Sequence, residues 1–227
     1  VLYVQDVLGY SPLATGVRLM VISGGILATS TIAGRLTSRV PIRFLIGPGL
    51  IIIGVGLLLM RGLDASSQWT HLIPGMIIGG AGVGLVNPPL ASTAVGVVEP
   101  ERAGMASGIN STFRQVGIAT GIALLGTLFS SEVSSQVATR VAKIPGLGSH
   151  ASQLATAVQA GQVSQVISKV PAQARKAVTQ TAAAAFTAGL NRILLIAAII
   201  ALVSGVISLC AIRGKDFHRE QEPGEAS

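Results

Sequence analysis

Long apolar stretches alternate with short polar ones along almost the whole of this 227-residue chain. The stretches run at about 13–34, 44–63, 69–98, 104–131 and 190–212. Each can hold about twenty helical residues, the length that crosses a hydrocarbon core of about 30 Å. Ahead of them, VLYVQDVLGYSP reads as the end of a further span and a short loop. Tyr3 and Tyr10 there suit a membrane interface, where a ring can be half wet. The pattern predicts an all-α, polytopic membrane helix bundle over 1–212, with five complete transmembrane helices and the end of a sixth.

Breaks in the pattern carry the detail. Gly47, Pro48 and Gly49 predict a bend in the second span, because proline removes a backbone donor. Gly75 with Gly79, and Gly80 with Gly84, form small-xxx-small pairs in the third span, and Gly117 and Gly121 give the fourth a smooth face. Such residues predict close helix packing. Pro88 and Pro89 predict distortion at mid-membrane, with freed carbonyls beside Asn87. Irregular backbone at that depth survives inside protein or beside a water-filled cavity. Between the fourth and fifth spans, 132–181 is polar and rich in Ala, Ser, Gln and Val. It reads as an external loop with helical pieces, interrupted at Pro145 and Pro171.

Charge orients the bundle. Residues 33–43, AGRLTSRVPIR, hold Arg35, Arg39 and Arg43 and no acid. Short loops rich in arginine stay on the cytoplasmic side of a bilayer. Alternation then places 34–43, 99–103 and the tail 213–227 in the cytoplasm of a multi-pass protein of the cell membrane. Arg102, Arg213, Lys215 and Arg219 fall in those segments, whereas the short outer loops carry little beyond Arg61. Only 11% of residues are charged while 50% are hydrophobic, which excludes an ordinary soluble domain. The net charge of +7 fits anionic lipid head groups, with aromatics at only 4%, and no nucleic-acid partner is expected. Cys210 is the sole cysteine and reads as a packing residue, so neither a disulfide nor a zinc cluster is expected.

Few polar groups lie at depth. Arg114 stands about ten residues into the fourth span, or roughly 15 Å from its start. A midplane arginine is expensive in lipid and faces a bundle interior or a cavity. Val116–Phe129 alone is too short to span, so Arg114 is expected to be buried, with Asn110 and Gln115 beside it. With Asn87 and Pro88 these residues are the candidates for a substrate cavity. Arg18, near the outer end of the first span, either snorkels to the head groups or lines a substrate path. No Asp, Glu or Lys falls within the five spans, and arginine does not deprotonate, so no proton carrier is expected in them. A membrane enzyme would need clustered acids, histidines or a nucleophile, and the sequence has no such cluster.

The order of these features resembles the C-terminal half of a major facilitator superfamily transporter. It is most similar to the fourteen-helix drug:proton antiporters of the EmrB/QacA type. LYVQDVLGYSPLATGVRL is similar to the end of that family's seventh core helix and the start of its eighth. LIPGMIIGGAGVGLVNPPLASTAV looks like the tenth, and ERAGMASGINSTFRQVGIATGIALLGTLF like the turn into the eleventh. AGRLTSRVPIR sits where the family repeats its loop motif G-x-x-x-D-R-x-G-R-R. Gly34, Arg39 and Arg43 match it, with Arg35 beside them. Ser38 replaces its acid, Pro41 its second glycine, and Ile42 precedes Arg43. With the acid gone, this copy reads as a positive anchor.

The resemblance implies efflux of small lipophilic or cationic compounds by proton antiport, without a cofactor. It also implies a missing N-terminal half that carries the proton-coupling carboxylate. Two alternatives stay open: transport of another small metabolite, and a non-transporting assembly module. Tags at Ser38 and Gln159 are expected to label from opposite faces of the membrane; labelling from one compartment would refute the topology.

Overall fold

The computed structural model describes residues 1–64, 67–96, 98–141, 151–160, 162 and 172–212. The tail 213–227, Pro145 and Pro171 lie outside them. The described residues form helices and turns with no strand. The helices are α1 (Pro12–Leu36), α2 (Arg43–Leu59), α3 (Ile73–Gly96), α4 (Ala103–Val141), α5 (Ala151–Gln159) and α6 (Ala172–Ala211). A π-helical turn, Tyr3–Val7, precedes α1. Ser11 starts α1 by accepting a bond from the Ala14 amide at 3.3 Å, with Pro12 at the first position, where its missing N–H costs nothing.

Four helices are long and apolar enough to cross a membrane. The fifth, α2, has 17 residues, about 25 Å of helix, at the short end of what spans. The stretch expected to run to 63 stops at Leu59 because Gly62 takes φ +81 and turns the chain. The long helices α1, α2, α3, α4 and α6 alternate in direction. The turn around Arg39 and the one around Arg102 lie at one end of the bundle. The N-terminal turn, the 60–72 connection and the start of the apolar part of α6 lie at the other, termed here the Trp69 end.

The helices touch through glycine. Gly56 of α2 meets Gly79 and Gly75 of α3 so closely that a Cβ on Gly56 would stand 2.5 Å from the Gly79 amide nitrogen. On the opposite face of α3, Gly80 abuts the Ile22 carbonyl of α1, and Gly84 abuts Thr29 and Ile26. Gly47 and Gly54 of α2 receive α6, against Leu209 and Leu202. The row is therefore α1–α3–α2–α6, with α4 against α6.

Pro88 and Pro89 do not break α3, which continues to Gly96. Pro88 lacks the N–H that would bond the Gly84 carbonyl, and Ser30 Oγ of α1 donates to that oxygen instead, at 3.3 Å. Ser92 Oγ and Thr93 Oγ1 both donate to the Pro89 carbonyl, at 3.0 and 2.6 Å. Pro48 likewise lies inside α2.

The helical pieces expected within 132–181 are in part continuous with the spans: α4 runs on to Val141, and α6 begins at Ala172. With α5 these extensions bury Val133, Val137, Leu154, Val158, Val178 and Ala185 in a small helical cluster beyond the Trp69 end. Gln159 fastens it, donating to the Ser130 carbonyl at 3.2 Å and to Ser134 Oγ at 3.0 Å. An apolar-run criterion misses such helices because their Ala, Gln and Ser positions are only weakly hydrophobic. Gly117 and Gly121 have open space before them, so no described helix packs on that face of α4.

Asn191 of α6 clamps the 60–72 connection. Its Oδ1 accepts from the Gly62 and Leu63 amides at 3.0 and 3.2 Å, and its Nδ2 donates to the Leu63 carbonyl at 2.7 Å. Asn191→Ala is expected to lower stability by about 1–3 kcal/mol, because it strands backbone groups at a partly buried site. Gly56→Ala should cost a similar amount, about 1–3 kcal/mol, through overpacking against backbone that cannot give way. Gly24→Ala, with nothing within 4 Å, should stay within about 0.5 kcal/mol. Thermal unfolding of the three variants in detergent checks both.

Candidate ligand cavity

Where α1, α3, α4 and α6 meet the N-terminal turn, their side chains do not close. A cavity of about 450 Å³ remains, within the size range of small-molecule sites. Leu19 and Ile22 of α1, Met76 of α3, Leu125 and Phe129 of α4, and Leu190 of α6 are among its walls. Each comes from the apolar register that packs its helix, so the lining is almost wholly hydrocarbon. Tyr3, Phe129 and Phe186 gather at the Trp69 side. Phe129 and Phe186 meet edge to face with centroids 5.2 Å apart, and Tyr3 stacks on Phe186 at 6.5 Å. The Tyr3 hydroxyl donates to the Ser67 carbonyl at 3.0 Å, which fixes the N-terminal turn to the 60–72 connection.

One turn along α4 from Phe129 stands Glu132. Its Oε2 lies 3.2 Å from Nη1 of Arg192 on α6, and its Oε1 accepts from Gln136 Nε2 at 3.0 Å. The Glu132 side chain is 20% exposed and that of Arg192 60%. Among the described residues Glu132 is the only carboxylate carried by α1–α4 or α6.

The residues singled out from sequence do not line this cavity. Arg18 lies at the Trp69 end, its guanidinium 3.8 Å from the Tyr10 ring centroid and 5.1 Å from that of Trp69, and Nη1 donates to the Ala14 carbonyl at 2.9 Å. It holds two connections on α1 by cation–π contact. Asn87 and Pro88 are half-buried on α3, and Asn110 is half-buried on α4. Arg114 and Gln115 are exposed, which departs from the burial expected of Arg114. The physical reason is that nothing described packs around Arg114: 111–120 are exposed throughout, Phe113 and Val116 included. Of the loop motif, Gly34, Arg35, Arg39 and Arg43 are all exposed, and Arg43 lies over its neighbour Phe44 at 4.6 Å.

Sequence alone missed Glu132, Asn191 and Arg192. The available signal was an acid just past one apolar run and an Asn-Arg pair at the edge of another. Two antiparallel helices joined at that end bring such positions level.

The chain is similar to several resistance proteins. It is 36% identical to a puromycin resistance protein of Streptomyces alboniger over 60% of this chain and 28% of that protein. It is 35% identical to the multidrug resistance protein Stp of Mycobacterium tuberculosis over 59% of this chain and 25% of that one. A tetracenomycin C resistance and export protein of Streptomyces glaucescens is 27% identical over 98% of this chain and 40% of its own length. The chain thus spans between a quarter and two-fifths of these relatives. No solved structure gives a significant match. The sequence profile of the Major Facilitator Superfamily matches residues 1–149, and the chain, membrane-spanning and all-helical as described, belongs to that superfamily.

Proposed function

We propose that this chain is the C-terminal half of a fourteen-helix drug:proton antiporter of the EmrB/QacA type, exporting lipophilic and often cationic compounds from the cell. On this reading 1–212 is the C-terminal transmembrane bundle and 213–227 a cytoplasmic tail, with 34–43 and 99–103 on the same side. The observation that carries it is the exposure of α4. In this helix of 39 residues every residue from 111 to 120 is exposed, Arg114 among them, about 16 Å from the first residue. A guanidinium at that depth is costly against lipid and is stabilised by a facing protein surface or an aqueous cavity. Transporters built from two halves that rock about a midplane site offer both. Resistance and export functions among the relatives agree with this.

The residues then take roles. Arg114 is a fixed charge toward substrate or a partner carboxylate, and Asn87, Asn110 and Gln115 supply hydrogen bonds to the central cavity beside the Pro88 turn. Arg18 belongs to the interface rather than the path. The proton-binding carboxylate comes from the other half, since no acid lies within the spans.

The test is export of ethidium by the full-length protein in cells, driven by an imposed inward proton gradient. Arg114→Ala is expected to reduce export at least about tenfold, equivalent to about 1.4 kcal/mol, with Asn87→Ala weaker in the same direction. Export that persists unchanged in both variants would remove these site assignments. Export that ignores collapse of the gradient would remove proton coupling.

A further inference from the structure

We infer that Arg18 and Thr15 of α1, framed by the rings of Tyr10 and Trp69, form a site for the head-group phosphate of a phospholipid in the leaflet at the Trp69 end. The inference rests on the membrane placement of the helices and not on what the protein exports.

Two donors at this place lack acceptors. Arginine carries five N–H donors in a planar fork. Arg18 makes one hydrogen bond among the described residues, from Nη1 to the Ala14 carbonyl at 2.9 Å. Its Nε is buried and has no partner among them. No described carboxylate forms an ion pair with it. Nε and Nη2 lie along one edge of the guanidinium, and that edge can grip two oxygens of a phosphate. Here it is unused.

Thr15 supplies the second donor. It is 1% exposed, yet Oγ1 has no hydrogen-bond partner among the described residues. Thr29, Thr31, Thr37, Thr112 and Thr127 behave differently, each donating to the carbonyl four residues back. A buried hydroxyl without a partner is costly, and an apolar residue of the same shape would avoid the cost. Arg18 follows Thr15 by three positions, so the two share a face of α1. The bond to Ala14 folds the guanidinium back over the turn that holds Thr15. A phosphodiester would give its two charged oxygens to the fork, and one of them keeps a lone pair for the hydroxyl.

The rings and the depth select the ligand. The Tyr10 and Trp69 ring centroids stand 3.8 and 5.1 Å from the guanidinium carbon. Rings attract the faces of a guanidinium and leave its edge to an acceptor. Tyrosine and tryptophan also mark the head-group level of a bilayer. Arg18 lies six residues, about 9 Å, beyond the first residue of α1, and its side chain turns back toward that start. The phosphates met at that level are those of the lipids themselves.

The test uses the full-length protein in detergent, titrated with phosphatidylglycerol and with a diacylglycerol of the same chains, which lacks the phosphate. Bound lipid is counted by native mass spectrometry. The wild type is expected to hold phosphatidylglycerol about tenfold more tightly than diacylglycerol. Arg18→Gln should weaken phosphatidylglycerol about tenfold, and Arg18→Lys, which keeps the charge and loses the fork, about threefold. Thr15→Val should weaken it about threefold while leaving the lipid-free protein as stable as the wild type or more so. Diacylglycerol should stay within about twofold throughout. Arg192→Gln removes an equal charge from the same end and should leave phosphatidylglycerol within about twofold. An equal loss in Arg192→Gln would mean unspecific attraction to surface charge and overturn the site. Displacement of the lipid by excess inorganic phosphate would make the occupant a soluble anion and overturn the lipid assignment. If Arg18→Gln does not fold, Thr15→Val decides alone: weaker binding at undiminished stability supports the site, and unchanged binding or lost stability overturns it. A wild type without preference for phosphatidylglycerol overturns it too, and leaves ethidium export and the transporter reading untouched.

Discussion

Hydrocarbon gives apolar helices no reason to prefer each other over lipid tails, so association has to come from how closely backbones approach. In this bundle the approach is set by glycine. Gly75 and Gly79 of α3 admit Gly56 of α2, while Gly80 and Gly84, rotated to the other face, admit the carbonyl edge of α1. One helix is thereby smooth on two sides and sits at the centre of the row. Gly47 and Gly54 repeat the device between α2 and α6. The aromatic cluster, the clamped connections and the cavity all depend on the separations that these residues fix.

The same solvent leaves no water for a stranded polar group, and the structure answers with side chains from neighbouring helices. Pro88 releases the Gly84 carbonyl, and Ser30 takes it. The 60–72 connection turns back with exposed amides, and Asn191 takes two of them. Arg18 carries its charge to the rings of Tyr10 and Trp69. Each of these links also joins elements far apart in sequence, so satisfying a polar group and fixing tertiary structure are one event here.

Much of this was legible before any coordinates. Each of the five apolar runs holds an apolar helix among the described residues, because span length and hydropathy follow from bilayer thickness. The glycine pairs of α3 marked where backbones could meet, though not which pair meets which neighbour. Helical propensity of Ala and Gln, rather than hydropathy, carries α4 past 131 and starts α6 at Ala172, and so these extensions were understated. Gly117 and Gly121 look like Gly80 and Gly84 in sequence yet face open space, because a smooth face does not say whose partner it awaits. The cavity and the Glu132–Arg192 pair were invisible for a further reason. They are made where α4 and α6 come level, and periodicity within one helix does not record the level of another.

The unbroken length of α4 has a mechanical consequence. From Arg114 to Val141 the helix continues for about 40 Å without proline, beyond the thickness of the hydrocarbon. A rod that stiff is a lever. A tilt of about 10° about Arg114 displaces its far end by about 7 Å. Since Gln159 of α5 is bonded to Ser130 and Ser134 near that far end, the cluster beyond the Trp69 end is carried with it.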